Sequence, residues 1–516
     1  MPVHSAIESM KSIHIRATSH FRLFLYVLLG VVLLTVLLSC AKPGSDSIRF
    51  GIPSPAISLD PRFATDATSE RINRLLYKRL VDFDAHFQPV ASLASWEQVS
   101  PVQYRFHLGQ SGRTFTNGEH LTSADVKATY DFILDASNAS PHRGTLALIR
   151  EIRLIDADTI DFLLDHADPL FPGYLVIGIV PESLIKAGYP LERSPVGSGD
   201  FAFVDWPEDG RLVIKRRSDG QVIEFVSVQD PTVRVLKLLR GEIDLLQNEL
   251  PRELVAYLSR QPDIRLEHIE GINFTYLGFN LEDPVLSNLD VRKAIAHAID
   301  RHALIHYMLG GKTRVANALL VADHWAGEPD VPAYKYDPVL AREYLKKAGY
   351  SREHPLTLEY KTSSDPFRLR IATIIQQQLR DIGIQVKLRS FDWATFYGDI
   401  KAGRFQLYSL TWVGIKSPDI FRYVFHSTSV PPAGANRGRF KDKTADRLIE
   451  QADNASTQQE QAAYYRQLQD YLQSRLPYVP LWYQEHFAAM NRHIHDYVLA
   501  KDGNFDGLVR IHKSRS

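Results

Sequence analysis

The clearest alternation of apolar and polar positions runs from Tyr334 to Trp412. Asp337-Pro338 offers an N-cap and a proline at the first helical position, which predicts a helix to Lys347-Ala348, stopped by Gly349. Thr357-Leu-Glu-Tyr-Lys then alternates with period two, as a half-buried strand does. A helix from about Phe367 should end at Gly383, where the missing Cβ permits a left-handed cap. Ile384-Gln-Val-Lys-Leu alternates again, Asp392 caps a helix closing at Gly403, and Phe405 to Leu410 makes a third strand. Strand, helix, strand, helix, strand with short connections predicts an α/β domain. Elsewhere Ile48-Arg-Phe-Gly-Ile reads as a strand and Thr122-Ser-Ala-Asp125 as a capping box opening a helix through Leu134. Leu289 to Leu309 reads as one long helix with an apolar side. No short-period repeat or low-complexity stretch occurs, which argues against solenoids and propellers.

The first forty residues follow another rule. Lys11, Arg16 and Arg22 precede an uncharged apolar run from Leu23 to Leu38, followed by Ser39 and Cys40. A basic region, an apolar region and a small residue before the cut describe a secretory signal. The run is about sixteen residues, short for a ~30 Å hydrocarbon core. Leu37-Leu38-Ser39-Cys40 resembles the lipobox of bacterial lipoproteins, which implies acylation of Cys40 and cleavage before it. The expectation is a signal peptide over 1–39 and a lipidated, polar tether over 40–47 that attaches the chain to a membrane. The stretch before Lys11 is long, so Met10 is an alternative start. Ala41 stands where an Asp would retain many lipoproteins at the inner membrane, and so points to the outer one in a Gram-negative host.

Composition narrows the chemistry. A chain of 516 residues can hold two or three domains, and its 45% hydrophobic and 23% charged residues are ordinary globular usage. Formal net charge is zero. Without the three Lys/Arg and one Glu before residue 40 it is 57 against 59, a net −2, so no field recruits nucleic acid. Cys40 is the only cysteine, which excludes an internal disulfide, a thiol catalyst and a cysteine-held metal. There is no Gly-x-Ser-x-Gly, no His-Glu-x-x-His and no phosphate loop. His302 and His306 have i,i+4 spacing but no carboxylate set beside them, and His493-x-His495 reads as a surface pair. We expect no enzyme, cofactor or metal.

A series of short motifs, in order along nearly the whole mature chain, resembles the peptide/nickel/oligopeptide-binding family of bacterial ABC-importer solute-binding proteins (family 5). They begin with Leu59-Asp60-Pro61, Leu75-Leu-Tyr77, Leu80-Val81, Leu93-Ala-Ser-Trp-Glu97 and Tyr104-Arg-Phe-His-Leu108. Phe115-Thr-Asn-Gly118 with Leu121-Thr-Ser-Ala-Asp-Val126, Pro195-Val-Gly-Ser-Gly199 and Arg240-Gly-Glu-Ile-Asp244 follow. Phe279-Asn280, Val291-Arg-Lys-Ala-Ile295, Ala298-Ile-Asp-Arg301, Ala348-Gly-Tyr350 and Leu379-Arg-Asp-Ile-Gly-Ile384 complete the set. Most of these residues shape turns and helix faces, so they identify a fold more than a ligand. The resemblance implies an α/β, two-lobed type II periplasmic-binding-protein fold with an additional third domain. Mapped here, domain I combines 48–77, 195–270 and 490–510, domain II is 78–194, and domain III, the second lobe, is 271–489. It also implies a monomer that closes its cleft on a peptide-like ligand and delivers it to permease and ATPase subunits.

The same resemblance places ligand contacts. Thr65-Asp66-Ala67 matches the first-lobe segment that pairs with ligand backbone, and main-chain pairing of that kind is indifferent to sequence. Trp393 and Trp412, nineteen residues apart, match two cleft tryptophans, and Tyr276 lies where the chain enters the cleft. In peptide binders Trp-x-x-Asp supplies the acid for the ligand ammonium; here the run is Trp412-Val413-Gly414-Ile415, followed by Lys416, Ser417, Pro418 and Asp419. Ile415 cannot oppose an ammonium, so free-amino di- and tripeptides are expected to bind poorly at this position unless Asp419 swings in. Lys416, Arg422 and Arg437 place cations nearby, suited to a carboxylate-bearing or N-blocked ligand. A metal chelate, an oligosaccharide or an opine is the alternative cargo, and a ligand sensor the alternative role.

Overall fold

The structure, a computed structural model, describes residues 47–514 except 208–209, 310 and 352. Cys40 and the signal and tether expectations lie outside the described residues, apart from the tether's last residue. No described helix is long and apolar enough to cross a membrane.

A large mixed sheet carries the body. Its strands are β1 (Ile48–Ile52), β2 (Phe201–Asp205), β3 (Leu212–Arg216), β4 (Val222–Ser227), β5 (Leu245–Gln247), β6 (Ile264–Phe279), β7 (Leu356–Ser363), β8 (Ile384–Phe391), β9 (Leu407–Trp412) and β10 (Tyr478–Asn491). They lie in the order β8-β7-β9-β6-β10-β5-β1-β4-β3-β2, and Arg314–Val315 adds a short strand on β10. Two parallel triplets stand on either side of the β6/β10 pair: β1 pairs in parallel with β4 and β5, and β7 with β8 and β9. The long antiparallel pair β6/β10 joins them. Its register breaks between Ile269 and Asn273, where a Cβ on Gly271 would stand 2.1 Å from the Gln484 carbonyl oxygen. That close backbone approach needs glycine. A separate four-stranded antiparallel sheet, Ala94–Ser100, Gln103–Leu108, Thr159–Leu164 and Ile149–Leu154, packs with the helix Ser123–Leu134 over its own core of Phe106, Tyr130 and Phe162. The first lobe thus combines this domain with the β1 half of the large sheet, and the second carries the β7 half.

The local expectations hold where neighbours in sequence decide them. Asp337 accepts from Val339 and Leu340 at the start of Pro338–Lys347, and Asp125 accepts from the Thr122 N–H at 2.7 Å in the capping box. Three helices border the cleft: α1 (Ala67–Leu76), α2 (Pro366–Asp381) and α3 (Trp393–Ala402). Asp365 and Asp392 cap α2 and α3, and Gly403 ends α3 at φ +76°. The single helix expected over 289–309 is broken. Leu289–Ala298 stops at an extended Ile299, and the Asp300 carboxylate caps a new start by accepting from Ala303 at 2.9 Å. Apolar periodicity cannot see this, because a capping acid inside the run leaves the stripe intact. Arg292 of that helix donates to the carbonyls of Leu286, Arg475 and Leu476, tying it to its neighbours.

Candidate functional site

In an open α/β sheet ligands bind outside the carboxyl ends of parallel strands, where the strand order reverses. Both triplets have such a point: the chain leaves β1 for neighbours on either side, and β7 likewise. The edges face one another. From the first lobe come the segment after Ile52 leading into α1 and Asn248-Glu249 after β5; from the second come Arg368 after β7, Trp393 after β8, and Val413 onward after β9. Contacts run across the gap: Arg370 pairs with Glu253 at 2.6 Å and Lys416 with Asp502 at 2.5 Å. Phe87, at the tip of a first-lobe hairpin, is buried against the ring of His324 at 5.2 Å, among the aromatic residues of the second lobe.

The second-lobe wall is aromatic. Trp393 is 59% exposed and lies parallel on Tyr397 at 5.4 Å. Trp412 is half-buried, meets Tyr423 at 6.2 Å, and carries the Arg437 guanidinium over its ring at 4.5 Å. Tyr276 is buried beneath them, stacked on Phe274, so it forms the floor rather than an open face. Val413 is exposed, and Gly414 (φ +63°) donates its N–H to Asn273 Oδ1 at 3.0 Å. Ile415 packs half-buried on the aromatic cluster. On the first lobe Thr65 and Ala67 are exposed, while the Asp66 carboxylate is used as the cap of α1, accepting from Ser69 at 2.9 Å.

Of the three cations expected near Trp412, two are neutralised within the protein. Lys416 is held by Asp502, and Arg422 by Asp453. Arg437 is different. It is 8% exposed, and among the described residues its guanidinium donates only to phenols, to Tyr397 at 3.1 Å and Tyr276 at 3.4 Å. Among the described residues no carboxylate lies within 4 Å of it. An unpaired buried guanidinium is costly, and a carboxylate brought by a ligand would relieve it.

Asp419 is hydrogen-bonded locally, to the Ser417 side chain. It stands at the start of Ile420–Phe425 but makes no capping bond, and its carboxyl is pushed up to about 6 by burial, against the Ser417 hydrogen bond and with help from Asp168 and Asp453. Asp168, on the first lobe, is likewise pushed up to about 6, by burial against its bonds from the Leu170 N–H and the Tyr174 hydroxyl. Asp168 thus adds to the rise at Asp419, and Asp453 adds to the rise at both. Two further cleft residues escaped the reading of the sequence. Arg368 opens α2 with Glu249 and Asp365 as its nearest acids but no ion pair within 4 Å among the described residues. Glu70, on the first turn of α1, has no ion pair among the described residues either. The carboxyl-edge rule applied to β7 would have found Arg368; nothing local marks Glu70.

A two-lobed α/β body with facing carboxyl edges and an aromatic cleft wall is the architecture of a solute-binding protein. The chain belongs to the bacterial extracellular solute-binding proteins, family 5: the family model, "Bacterial extracellular solute-binding proteins, family 5 Middle", matches residues 88–431. It is similar to Heme-binding protein A of Haemophilus influenzae, 26% identical over 491 residues covering 87% of this chain and 88% of that one. It is also similar to the Dipeptide-binding protein of Escherichia coli, 24% identical with 91% and 95% covered. Among solved structures, NikZ of Campylobacter jejuni in complex with Ni(L-His) shares the fold, with TM-score 0.79 at 22% identity over 91% of this chain and 99% of that one. These relatives are binding proteins, not enzymes.

Proposed function

We propose that this protein captures a peptide-like ligand with a free carboxylate between its lobes and presents it to the permease and ATPase subunits of an ABC importer. The unpaired, buried Arg437 on the Trp412 ring carries the reading. Trp393, Trp412 and Val413 supply apolar wall for side chains, and the exposed backbone about Thr65 and Ala67 supplies an edge for main-chain pairing. The domain division at 48–77, 195–270 and 490–510, at 78–194 and at 271–489 belongs to the same proposal, with hinge motion at β6/β10. A non-peptide carboxylate is the second reading, favoured by the apolar Ile415 where a peptide ammonium would want an acceptor. Small-angle scattering with a saturating peptide tests the closure. The radius of gyration should fall, and at a hundredfold excess over Kd stability should rise by about 2.7 kcal/mol. A tight ligand that leaves the scattering curve unchanged would overturn the closing-cleft reading.

The anchor is a separate prediction. Cys40→Ser should leave an uncleaved precursor that takes up no labelled fatty acid. Normal processing and labelling of that variant would exclude lipidation at this site.

A further inference from the structure

A first-lobe hairpin, Val81–Phe83 paired with Pro89–Ala91, carries a turn that is braced from within. The Asp84 N–H donates to the Gln88 carbonyl at 3.0 Å, and the Asp84 carboxylate accepts from the N–H groups of His86 at 2.8 Å and Gln88 at 2.9 Å. The base is rooted in the first lobe, where Val81 belongs to the core of Phe106 and Tyr130. Asp84, Ala85 and His86 are exposed, and only Phe87 of this tip turns inside, 4% exposed. It does so at φ +63°. A turn at that angle suits Asn or Gly, and a bulky residue there is strained. The turn itself gives no reason for a phenyl ring.

The reason lies in the other lobe. Every other described residue of the buried cluster that Phe87 joins lies between Ile272 and Tyr483. Its ring is nearly parallel to that of His324, 5.2 Å away with 18° between the planes. His324 is 3% exposed, and burial pulls its pKa down to about 4, so the imidazole that Phe87 covers is neutral. Its Nδ1 accepts from the Ala326 N–H at 3.0 Å, which leaves the Nε2–H to donate to the Lys416 carbonyl at 3.1 Å. Lys416 directly follows the Trp412–Ile415 wall, and the first lobe grips its ammonium through Asp502 and the Phe83 ring, the latter at 5.8 Å. One residue beyond Phe87, the Gln88 side chain accepts from Gln458 of the second lobe at 2.7 Å.

We propose that Phe87 is a latch between the lobes, a positioning residue that seats the Trp412–Lys416 wall against the first lobe through His324 and does not touch the cargo. This rests on the closing-cleft reading above. The contacts of Phe87 exist only while the hairpin reaches the second lobe, so they weight the closed form over the open one whatever the ligand is. Apparent affinity follows the closed fraction. Taking a buried phenyl ring out of the contact should therefore lower it by roughly 10- to 100-fold, for every cargo alike. Arg437, by contrast, distinguishes cargoes with a carboxylate from those without.

Phe87→Asn removes the ring and favours the same turn, so a residue that merely shaped the turn would be replaced without loss. Full-length protein in detergent is loaded with a tryptic digest of casein, desalted and diluted, and mass spectrometry follows the release of each retained peptide. From the variant every peptide should leave roughly 10- to 100-fold faster, by a similar factor for all sequences. Small-angle neutron scattering in contrast-matched detergent should give the unliganded variant a larger radius of gyration than the wild type. Phe87→Gly, which fits the same turn, should repeat both results. Unchanged release and unchanged radii in both variants overturn the latch and leave the peptide reading standing. Faster release of some peptides only would make Phe87 a contact of the cargo, which overturns the latch too. If the wild type retains no peptide, the peptide reading falls, and equal radii of variant and wild type then overturn the latch as well.

Discussion

Replacing Arg437 by Met should weaken binding of carboxylate-bearing peptides by roughly 10- to 100-fold, the range for hydrogen bonds to charged groups. The same substitution should make the unliganded protein more stable. Arg437 is buried with phenols and an indole for company and no carboxylate among the described residues within 4 Å, so its charge lacks compensation until ligand arrives. Methionine keeps the length and the contact with Trp412 while removing the charge. A gain of about 1 kcal/mol or more is expected, in line with apolar replacement of buried ions. Calorimetry with one peptide as its free acid and as its C-terminal amide separates the effects. The wild type should discriminate the two and the variant should not. Equal discrimination by both would remove Arg437 from the ligand's carboxylate end.

The second large effect is on stability and its pH dependence. Asp168 is 9% exposed, and its carboxyl in the folded state is at about 6 against an ordinary 3.8. A raised acid means that the folded state holds its proton longer than the unfolded chain does. Stability therefore falls as pH rises from about 4 to about 6, and the full penalty is present above that window. Two pK units correspond to about 3 kcal/mol, an upper figure because the neighbouring Asp419, which Asp168 itself pushes up, shares the effect. Asp168→Asn keeps an acceptor for the Leu170 N–H, and its Nδ2 can donate to the Tyr174 hydroxyl oxygen in place of the bond that Asp168 accepts. It should raise the melting temperature at pH 7.5 and change little at pH 4. Comparing variant and wild type at each pH cancels the other carboxyls, such as Asp82, which Arg79 and Arg74 hold at about 2 against its burial. Equal stabilisation at pH 4 and pH 7.5 would show that ionisation of Asp168 is not the cause.

The two effects differ in how far the sequence announced them. Arg437 was visible as one of three cations around Trp412, but its solitude was not. Lys416 finds Asp502 on the first lobe, and Arg422 finds Asp453, 31 residues away. Asp419 was visible as a possible substitute for the acid missing at Ile415, but not that burial, with Asp168 and Asp453 in reach, would push its carboxyl up. Glu70 carried no signal at all.

What the sequence by itself determined is the set of elements whose cause lies within one turn or one pleat. The caps at Asp337, Asp365 and Asp392, the stop at Gly403, and the alternation of β7 and β8 depend on neighbours at most a few positions apart. The motif order along the chain carried the two-lobed fold as well. The tertiary structure alone decided which charges are neutralised and which remain for a ligand. Ion pairing is set by distance in space, and those distances exist only after β6 and β10 have brought the two carboxyl edges face to face. The break at Ile299-Asp300 obeys the same logic in miniature. The apolar stripe continued through it, and the capping bond from Ala303 to Asp300, with the packing around it, chose the ending.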